Sequence, residues 1–189
     1  LPFVVASVCD SLFSSANAGT IAYPALARAA ANLLAVYGTE EQKRLYMQPI
    51  IDGRYYGTMC LSEPQAGSSL SDVAVRADPQ PDGSFRLFGN KMWISSGEHE
   101  LTENIIHLVL AKIPDEHGKL VPGTRGISLF IVPKKLVDTE GQLTGERNDV
   151  ALAGLNHKCG WRGTTNTLLN FGEGKYPVRG ASGAIGYLV

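Results

Sequence analysis

The sequence predicts an α+β protein in which helices come first and a series of short β-strands follows. Apolar residues recur at helical spacing before Gly53, and short β-rich runs separated by turn residues follow it. Short strands at such spacing are typical of a barrel or a sandwich. The chain has 189 residues, of which 44% are hydrophobic and 19% charged, so it can build a packed core.

The first third of the chain is predicted to be helical. The apolar residues at helical spacing are Leu1, Val4, Val5, Val8 and Leu12 for one helix and Leu26, Ala30, Leu33, Leu34 and Tyr37 for the next. Gly38 is expected to end the second helix. Thr39 and Gln42 form a capping-box pattern that opens a third, short helix, which Pro49 and Gly53 end.

The residues after Gly53 are predicted to form strands. The expected strands are Tyr55 to Leu61, Val73 to Ala77, Phe85 to Phe88, Lys91 to Ser95, Ile105 to Ile113, Gly126 to Val132 and Thr167 to Phe171. Pro79 to Gly83 has the composition of a hairpin turn. Five glycines follow from Gly172 onward, which indicates a connector leading out of the strand region. The predicted division is therefore 1–53, 54–172 and 173–189.

Composition and missing motifs exclude several classes of protein. The net charge of −1 argues against a nucleic-acid binder. No apolar run reaches the roughly 18 residues that a membrane span needs. Three widely spaced cysteines without a CxxC pattern favour reduced thiols and a cytoplasmic location. The sequence contains no GxGxxG, Walker A, GxSxG or HExxH pattern, so we expect no Rossmann site and no metal site.

Two stretches carry a chemical signal, Met59 to Ser69 and Lys91 to Gly97, because each ends a strand and enters a loop of small residues. Backbone N–H groups lose their ladder partners at a strand end, and Gly67 allows close approach of a ligand. These features suit a flat molecule rich in acceptors, with Trp93 offering an aromatic face. The same residues also fit a core tryptophan and an ordinary turn.

Three blocks of sequence resemble the acyl-CoA dehydrogenase family. They are Leu61 to Ser68 (LSEPQAGS), Gly89 to Ser95 (GNKMWIS), and Leu155 to Thr165 (LNHKCGWRGTT) followed by Leu168 to Phe171. Their order and spacing also agree with the family. Residues 98–110 and 126–133 are most similar to a bacterial branch that includes methylthiopropionyl-CoA dehydrogenase. This resemblance implies an antiparallel β-barrel, the family's middle domain, between helical domains.

The resemblance implies an FAD-dependent enzyme that oxidises acyl-CoA to trans-2-enoyl-CoA by α-proton abstraction and β-hydride transfer to flavin N5. On matching positions, the cofactor-binding residues would be Met59, Leu61, Ser62, Gly67, Ser68, Trp93, Ile94 and Ser95. Ser68 and Thr164 would contact the substrate. Implied partners are an acyl-CoA, an electron-transfer flavoprotein and further copies of the chain as a dimer or tetramer.

The family's catalytic base is a glutamate in a C-terminal helical domain, so no catalytic residue is assigned to this chain. The chain begins at Leu1 and stops at Val189 inside an apolar stretch, and we expect it to be an inactive fragment. Two alternatives stay open: a flavin-dependent acyl-CoA oxidase on the same fold, and a β-barrel interaction module without catalysis. The family often has Thr at positions 62 and 95 and Asp at position 69, where this chain has Ser.

Several other residues are expected to be structural. The carboxylates nearest the motifs are expected to be solvated or to cap backbone groups. They belong to Glu63, Glu98, Glu100 and Glu103. Cys60 and Cys159 are predicted to be buried, and His107 is predicted to be a core or edge imidazole. Lys134 and Lys135 are expected on the surface, and Trp161 is expected to pack on Arg162 through a cation–π contact.

Overall fold

The computed structural model describes residues 2–189, and its first part is helical. The helices are α1 (Phe3–Ala16), α2 (Ala18–Tyr37), α3 (Glu40–Gln42) and α4 (Gln48–Ile51), with a π-helical turn, Lys43–Met47, between the last two. Gly38 caps α2, as predicted. The capping box is also confirmed: Thr39 Oγ1 accepts from Gln42 N at 3.1 Å, and Gln42 Oε1 accepts from Thr39 N at 3.0 Å.

Ten strands follow the helices. They are β1 (Tyr55–Cys60), β2 (Arg76–Pro79), β3 (Phe85–Ser95), β4 (Asn104–Lys112), β5 (Ile127–Pro133), β6 (Lys135–Val137), β7 (Leu143–Arg147), β8 (Val150–Leu155), β9 (Asn166–Phe171) and β10 (Ala184–Leu188). The hairpin predicted at residues 79–83 joins β2 to β3, and Gly83 supplies the positive φ of 82° that the turn requires. The two strands predicted at 85–88 and 91–95 form one strand, β3.

The strands close into a barrel, which confirms the predicted fold class. A ring of pairings runs from β4 through β5, β10, β3 and β2 back to β4. The first strand, β1, lies beside β4, while β9 and β8 extend the sheet from the second half of β3. Most pairings are antiparallel, but β1 and β2 both run parallel to β4.

The segment predicted as a connector, 173–189, contains a strand of the barrel instead. Residues of β10 pair with β3 through Ala184, Ile185 and Gly186, and with β5 through Tyr187 and Leu188. The glycine-rich composition suggested an irregular segment, yet Gly186 lies where a Cβ would be 2.7 Å from Leu87 Cδ1. A side chain at position 186 would displace Leu87, so the glycine suits the close packing within the barrel.

The strand β4 is buried on both faces and connects two cores. Val109 and Ala111 face the barrel interior with Phe130 and Phe171, whereas Ile106 and Leu108 face the helices with Leu34, Tyr55 and Ile131. Helix α2 approaches β1 closely because Gly57 has no side chain. A Cβ at Gly57 would lie 2.4 Å from the Ala30 Cβ. The helical segment and the barrel thus share a core.

Two predictions of side-chain exposure are wrong, those for Lys134 and Cys159. Lys134 is 1% exposed, because its ammonium donates to the His99 carbonyl at 2.9 Å and to Glu100 at 2.6 Å and also pairs with Glu98. Cys159 is exposed, since the loop that carries it lies on the surface, while Cys60 is buried as predicted.

Within residues 2–189, no helix combines the length and apolar character needed to cross a bilayer.

His107 is confirmed as a core imidazole of the barrel. It is fully buried, its Nδ1 lies 2.8 Å from Thr58 Oγ1, and its Nε2 has no hydrogen-bond partner in the described chain. Desolvation lowers the pKa of His107 from 6.5 to about 3, with smaller contributions from the charges of Lys134, His99 and Arg147. The folded protein therefore holds this ring neutral where an unfolded chain would protonate it.

This burial predicts acid sensitivity. Because the folded pKa of His107 lies below the unfolded value, stability is retained above pH 6.5 and declines as the pH falls toward 3. Between pH 7.5 and 5.5, His107 should lower the free energy of unfolding by about 1.4 kcal/mol. His107→Gln should remove this contribution. The smaller contribution of His99, whose pKa is also lowered, would remain. Urea denaturation at both pH values tests this, and equal pH slopes for the two proteins would contradict it.

Candidate functional site

The two motif strands meet at their ends. Beyond the last residue of β1, the Ser62 carbonyl accepts a hydrogen bond from Met92 N of β3 at 2.9 Å. Ser95 ends the same strand β3. The structure therefore brings the backbone of the first motif beside Met92, the residue before Trp93.

A β-bulge in β3 determines which way Trp93 faces. The register with β9 shifts between Lys91 and Ile94, and Trp93 has a φ of 65°. A bulge re-aims side chains, and here Ile94 is buried in the barrel while Trp93 is 48% exposed. Trp93, Ser96 and Trp161 are three of the four non-glycine residues with positive φ in the described chain. Backbone strain of this kind clusters at functional sites.

Ser95 lies in a half-open cavity of about 250 Å³. The lining residues are Ser95, Lys158, Gly160, Trp161, Thr164 and Asn166. Ser95 Oγ accepts a long contact from Asn166 Nδ2 at 3.4 Å, and this is its one described hydrogen bond. Lys158 Nζ lies 5.7 Å from the centroid of the Trp93 ring, so the indole lies beside the same cavity.

The loop between β8 and β9 forms one wall of the cavity and is fastened to helix α2. Thr164 Oγ1 donates to the Gly19 carbonyl at 2.6 Å, and Tyr23 OH accepts from Thr165 N at 3.2 Å. Thr164 therefore uses its hydroxyl hydrogen inside the protein, and its oxygen can still accept. The wall's position consequently depends on the first turns of α2.

The other residues predicted for the site are more widely spread. Met59 packs against the core that faces the helices, and the Leu61 carbonyl accepts from Lys91 Nζ at 2.9 Å. Gly67 and Ser68 lie in an exposed loop, and a Cβ at Gly67 would have no atom within 4 Å. The space beside Gly67 is thus open to a ligand, and no packing within the chain requires a glycine there.

Glu63 and Lys91 form a buried ion pair behind the site. Their side chains are 2% and 0% exposed, and Lys91 Nζ lies 2.8 Å from Glu63 Oε1. Burial lowers the pKa of Lys91, while the carboxylate of Glu63 opposes that shift. The prediction of a solvated or capping carboxylate is correct in part: Glu63 accepts from two backbone N–H groups, but it is not solvated.

Sequence reasoning missed Lys158 and Asn166 of the cavity, although Lys158 lies inside the third motif block. The predicted cation–π contact between Trp161 and Arg162 is absent from the described residues; Arg162 Nε donates to the Lys158 carbonyl at 2.8 Å instead. Nor do residues 2–189 contain a cluster of three His, Cys, Asp or Glu side chains that could hold a metal ion.

The donor set fits a flat aromatic ligand such as a flavin ring. Trp93 offers an exposed ring face, and the Ser95 hydroxyl hydrogen is not engaged in the described hydrogen bond, which Ser95 accepts. Open space at Gly67 and Gly160 leaves room for a planar molecule to approach the backbone. These are the aromatic surface and hydroxyl donors expected in a small-molecule site.

A family model described as "Acyl-CoA dehydrogenase, middle domain" matches residues 58–171. The chain is 41% identical over its whole length to 3-methylmercaptopropionyl-CoA dehydrogenase of Ruegeria pomeroyi and spans 30% of that protein. It is 37% identical over 92% of its length to a butyryl-CoA dehydrogenase of Syntrophomonas wolfei and spans 28% of it. The chain thus covers about a third or less of the relatives it matches.

The fold is similar to that of solved structures. The crystal structure of glutaryl-CoA dehydrogenase from Mycobacterium smegmatis superposes with a TM-score of 0.63, covers 91% of this chain and is 20% identical to it. The chain corresponds to 35% of that structure. At this level of identity the similarity supports the barrel architecture alone.

Proposed function

Since this chain belongs to the acyl-CoA dehydrogenase family, we propose that it supplies part of the FAD- and acyl-CoA-binding surface of an enzyme that oxidises acyl-CoA to trans-2-enoyl-CoA. The observation that carries this proposal is the half-open cavity lined by Ser95 and Lys158, with the exposed Trp93 ring 5.7 Å from Lys158 Nζ. Bound FAD would supply a hydride acceptor at N5.

In this proposal each residue of the chain has a binding role. Trp93 packs against the ring system, and Ser95 donates its hydroxyl hydrogen on the N5 side, where negative charge develops. Ser62 and the Leu61 backbone donate to the polar edge of the ring, while Gly67 allows close approach. Contact through Met59 requires its backbone, because its side chain packs toward the helices. Ile94 likewise contributes backbone, because its side chain is 2% exposed.

The substrate side of the proposed site involves Ser68 and Thr164. Ser68 is exposed and can turn toward a ligand, whereas the Thr164 hydroxyl is held by Gly19 and would act as an acceptor. Lys158 adds a cationic group at the cavity wall. This arrangement suits a substrate with a polar, negatively charged portion such as coenzyme A.

The carboxylates near the motifs are already engaged, which supports a base outside these residues. Glu63 pairs with Lys91, and Glu98 pairs with Lys134 and with Arg147. The remaining two, Glu100 and Glu103, pair with Lys134 and Arg54 respectively. Each of these carboxylates would have to leave its cation before it could contact a substrate. We propose that the α-proton is removed by a glutamate outside the 189 residues.

A flavin-dependent acyl-CoA oxidase remains the second candidate, because both enzymes would use the same barrel residues. The chain's proposed partners are an electron-transfer flavoprotein as acceptor and further copies of itself, in the cytoplasm. Rapid reoxidation of the reduced enzyme by air alone would favour the oxidase, and dependence on electron-transfer flavoprotein would favour the dehydrogenase.

Flavin titration tests the proposal. A cavity of about 250 Å³ encloses only part of FAD, so we expect the purified chain to be colourless and to bind added FAD weakly. Trp93→Leu should weaken that binding by about tenfold, because aromatic stacking is lost. Tyr37→Leu, which removes a ring that is 71% exposed on α2, should leave the affinity unchanged. Equal affinity of the Trp93 variant and the wild type, measured by flavin fluorescence, would refute the site.

A further inference from the structure

We propose that the buried Glu63–Lys91 ion pair is a positioning device that fixes the end of β1 relative to the end of β3, and thereby presets the flavin-binding surface. This inference rests on the proposed function for the identity of the ligand. It concerns two residues that make no contact with the cavity themselves. Their effect would pass through the backbone that carries Ser62, Trp93 and Ser95.

Glu63 connects three parts of the chain. Its Oε2 accepts from Ala74 N at 2.8 Å and from Gln65 Nε2 at 2.7 Å, and its Oε1 accepts from Val75 N at 3.1 Å and from Lys91 Nζ at 2.8 Å. One carboxylate therefore ties the loop after β1 to the approach to β2 and to β3. All four partners are donors, as an ionised carboxylate requires.

Lys91 completes the connection from the other strand. Its ammonium donates to Glu63 and, at 2.9 Å, to the Leu61 carbonyl. The next residue, Met92, donates its N–H to the Ser62 carbonyl at 2.9 Å, and the bulge that exposes Trp93 follows at once. The ion pair thus lies directly behind the point at which the two motifs meet.

Stability alone is a poor explanation for this pair. Desolvation of two buried charges commonly offsets their attraction, so well-packed apolar side chains often stabilise a protein as much. An ion pair with fixed hydrogen bonds specifies geometry in a way that apolar contacts do not. The pair joins the two strand ends that carry the proposed flavin contacts, so we infer that geometry is its principal contribution.

Hydrogen exchange tests this without any ligand. In the 189-residue chain, Lys91→Met and Glu63→Leu should speed exchange of the Met92 amide by about tenfold or more relative to core amides such as that of Val109. Glu63→Gln keeps a side-chain oxygen and should retain part of the protection. The control is Asn148→Ala, which removes buried hydrogen bonds to Pro133 and Ile185 and touches neither motif.

The outcomes separate positioning from general stability. In Asn148→Ala, exchange should accelerate only by the factor that the loss of global stability explains. If the same holds for Met92 in the ion-pair variants, the positioning role is wrong. Added FAD gives the second readout: Lys91→Met should weaken FAD binding by about tenfold, and Asn148→Ala should not once the folded fraction is equal. If the wild type binds no FAD, the proposed function fails, and the exchange comparison alone decides the positioning role.

Discussion

Replacing Gly57 with leucine is expected to lower the free energy of unfolding by about 3 kcal/mol, near the upper end of the usual cost of overpacking. A Cβ at this position would lie 2.4 Å from the Ala30 Cβ and 3.5 Å from the Ala27 Cα. Neither neighbour is a flexible side chain that can swing aside, so α2 or β1 must shift. The contacts of Leu34 and Tyr55 in the shared core would then loosen.

The matched control for this variant is Gly154→Leu. Gly154 is also a strand glycine, in β8, but a Cβ there would have no atom within 4 Å. We expect this change to alter stability by less than about 0.5 kcal/mol. Urea denaturation of both variants measures the difference. Similar midpoints for the two would show that α2 and β1 can move apart without loss of stability.

The same experiment tests the predicted division at residue 53. If residues 1–53 were an independent unit, Gly57→Leu would detach the helices and produce two unfolding transitions. The core that α2 shares with β1, β4 and β5 predicts a single transition with a lower midpoint. Two separate transitions, detected by helical and aromatic signals, would support the predicted division as one between independently stable units.

Local chemistry was predictable from the sequence, and long-range pairing was not. The capping box of Thr39 and Gln42 and the turn at Gly83 depend on residues within five positions, so their patterns were sufficient. Closure of the barrel by β10 depends on pairing with β3, about a hundred residues earlier in the chain. Its short glycine-containing sequence carried no local signal of that pairing.

Buried charged residues show the same limitation. Lys134 stands beside another lysine and after a proline, as surface lysines often do, yet its partners Glu98 and Glu100 come from a loop more than thirty residues earlier. Glu63 and Lys91 are 28 positions apart. A sequence pattern reports charge and spacing along the chain, whereas burial of a charge depends on which strands become neighbours.

The exposure of Trp93 has a different physical origin. In a regular strand, successive side chains point to opposite faces of the sheet. The bulge between Lys91 and Ile94 interrupts this alternation in β3, because it adds a residue with positive φ. The sequence therefore could not decide between a core tryptophan and a ligand-facing one. The structure places the indole at the surface beside Lys158, where it can serve the proposed site.

Ser95→Ala is expected to have the largest effect on the proposed reaction. In an active enzyme that contains these 189 residues and the proposed base, we expect substrate-dependent loss of flavin absorbance to slow by about 100-fold, the usual cost of removing one hydrogen-bond donor at a developing negative charge. Ser95→Thr keeps the hydroxyl and should retain most of the rate. Stopped-flow measurement at saturating acyl-CoA separates this rate from substrate binding.

The structure supplies the control that makes the result specific. The one described hydrogen bond of the Ser95 hydroxyl is the 3.4 Å contact that it accepts from Asn166, so alanine removes little that holds the fold. Asn166→Ala removes the same contact, together with the 2.9 Å hydrogen bond that Asn166 Oδ1 accepts from Asn156, but leaves the Ser95 hydroxyl hydrogen available. If both alanine variants slow the reaction equally, the rate depends on the shape of the cavity wall; if only Ser95→Ala does, it depends on the donated hydrogen bond.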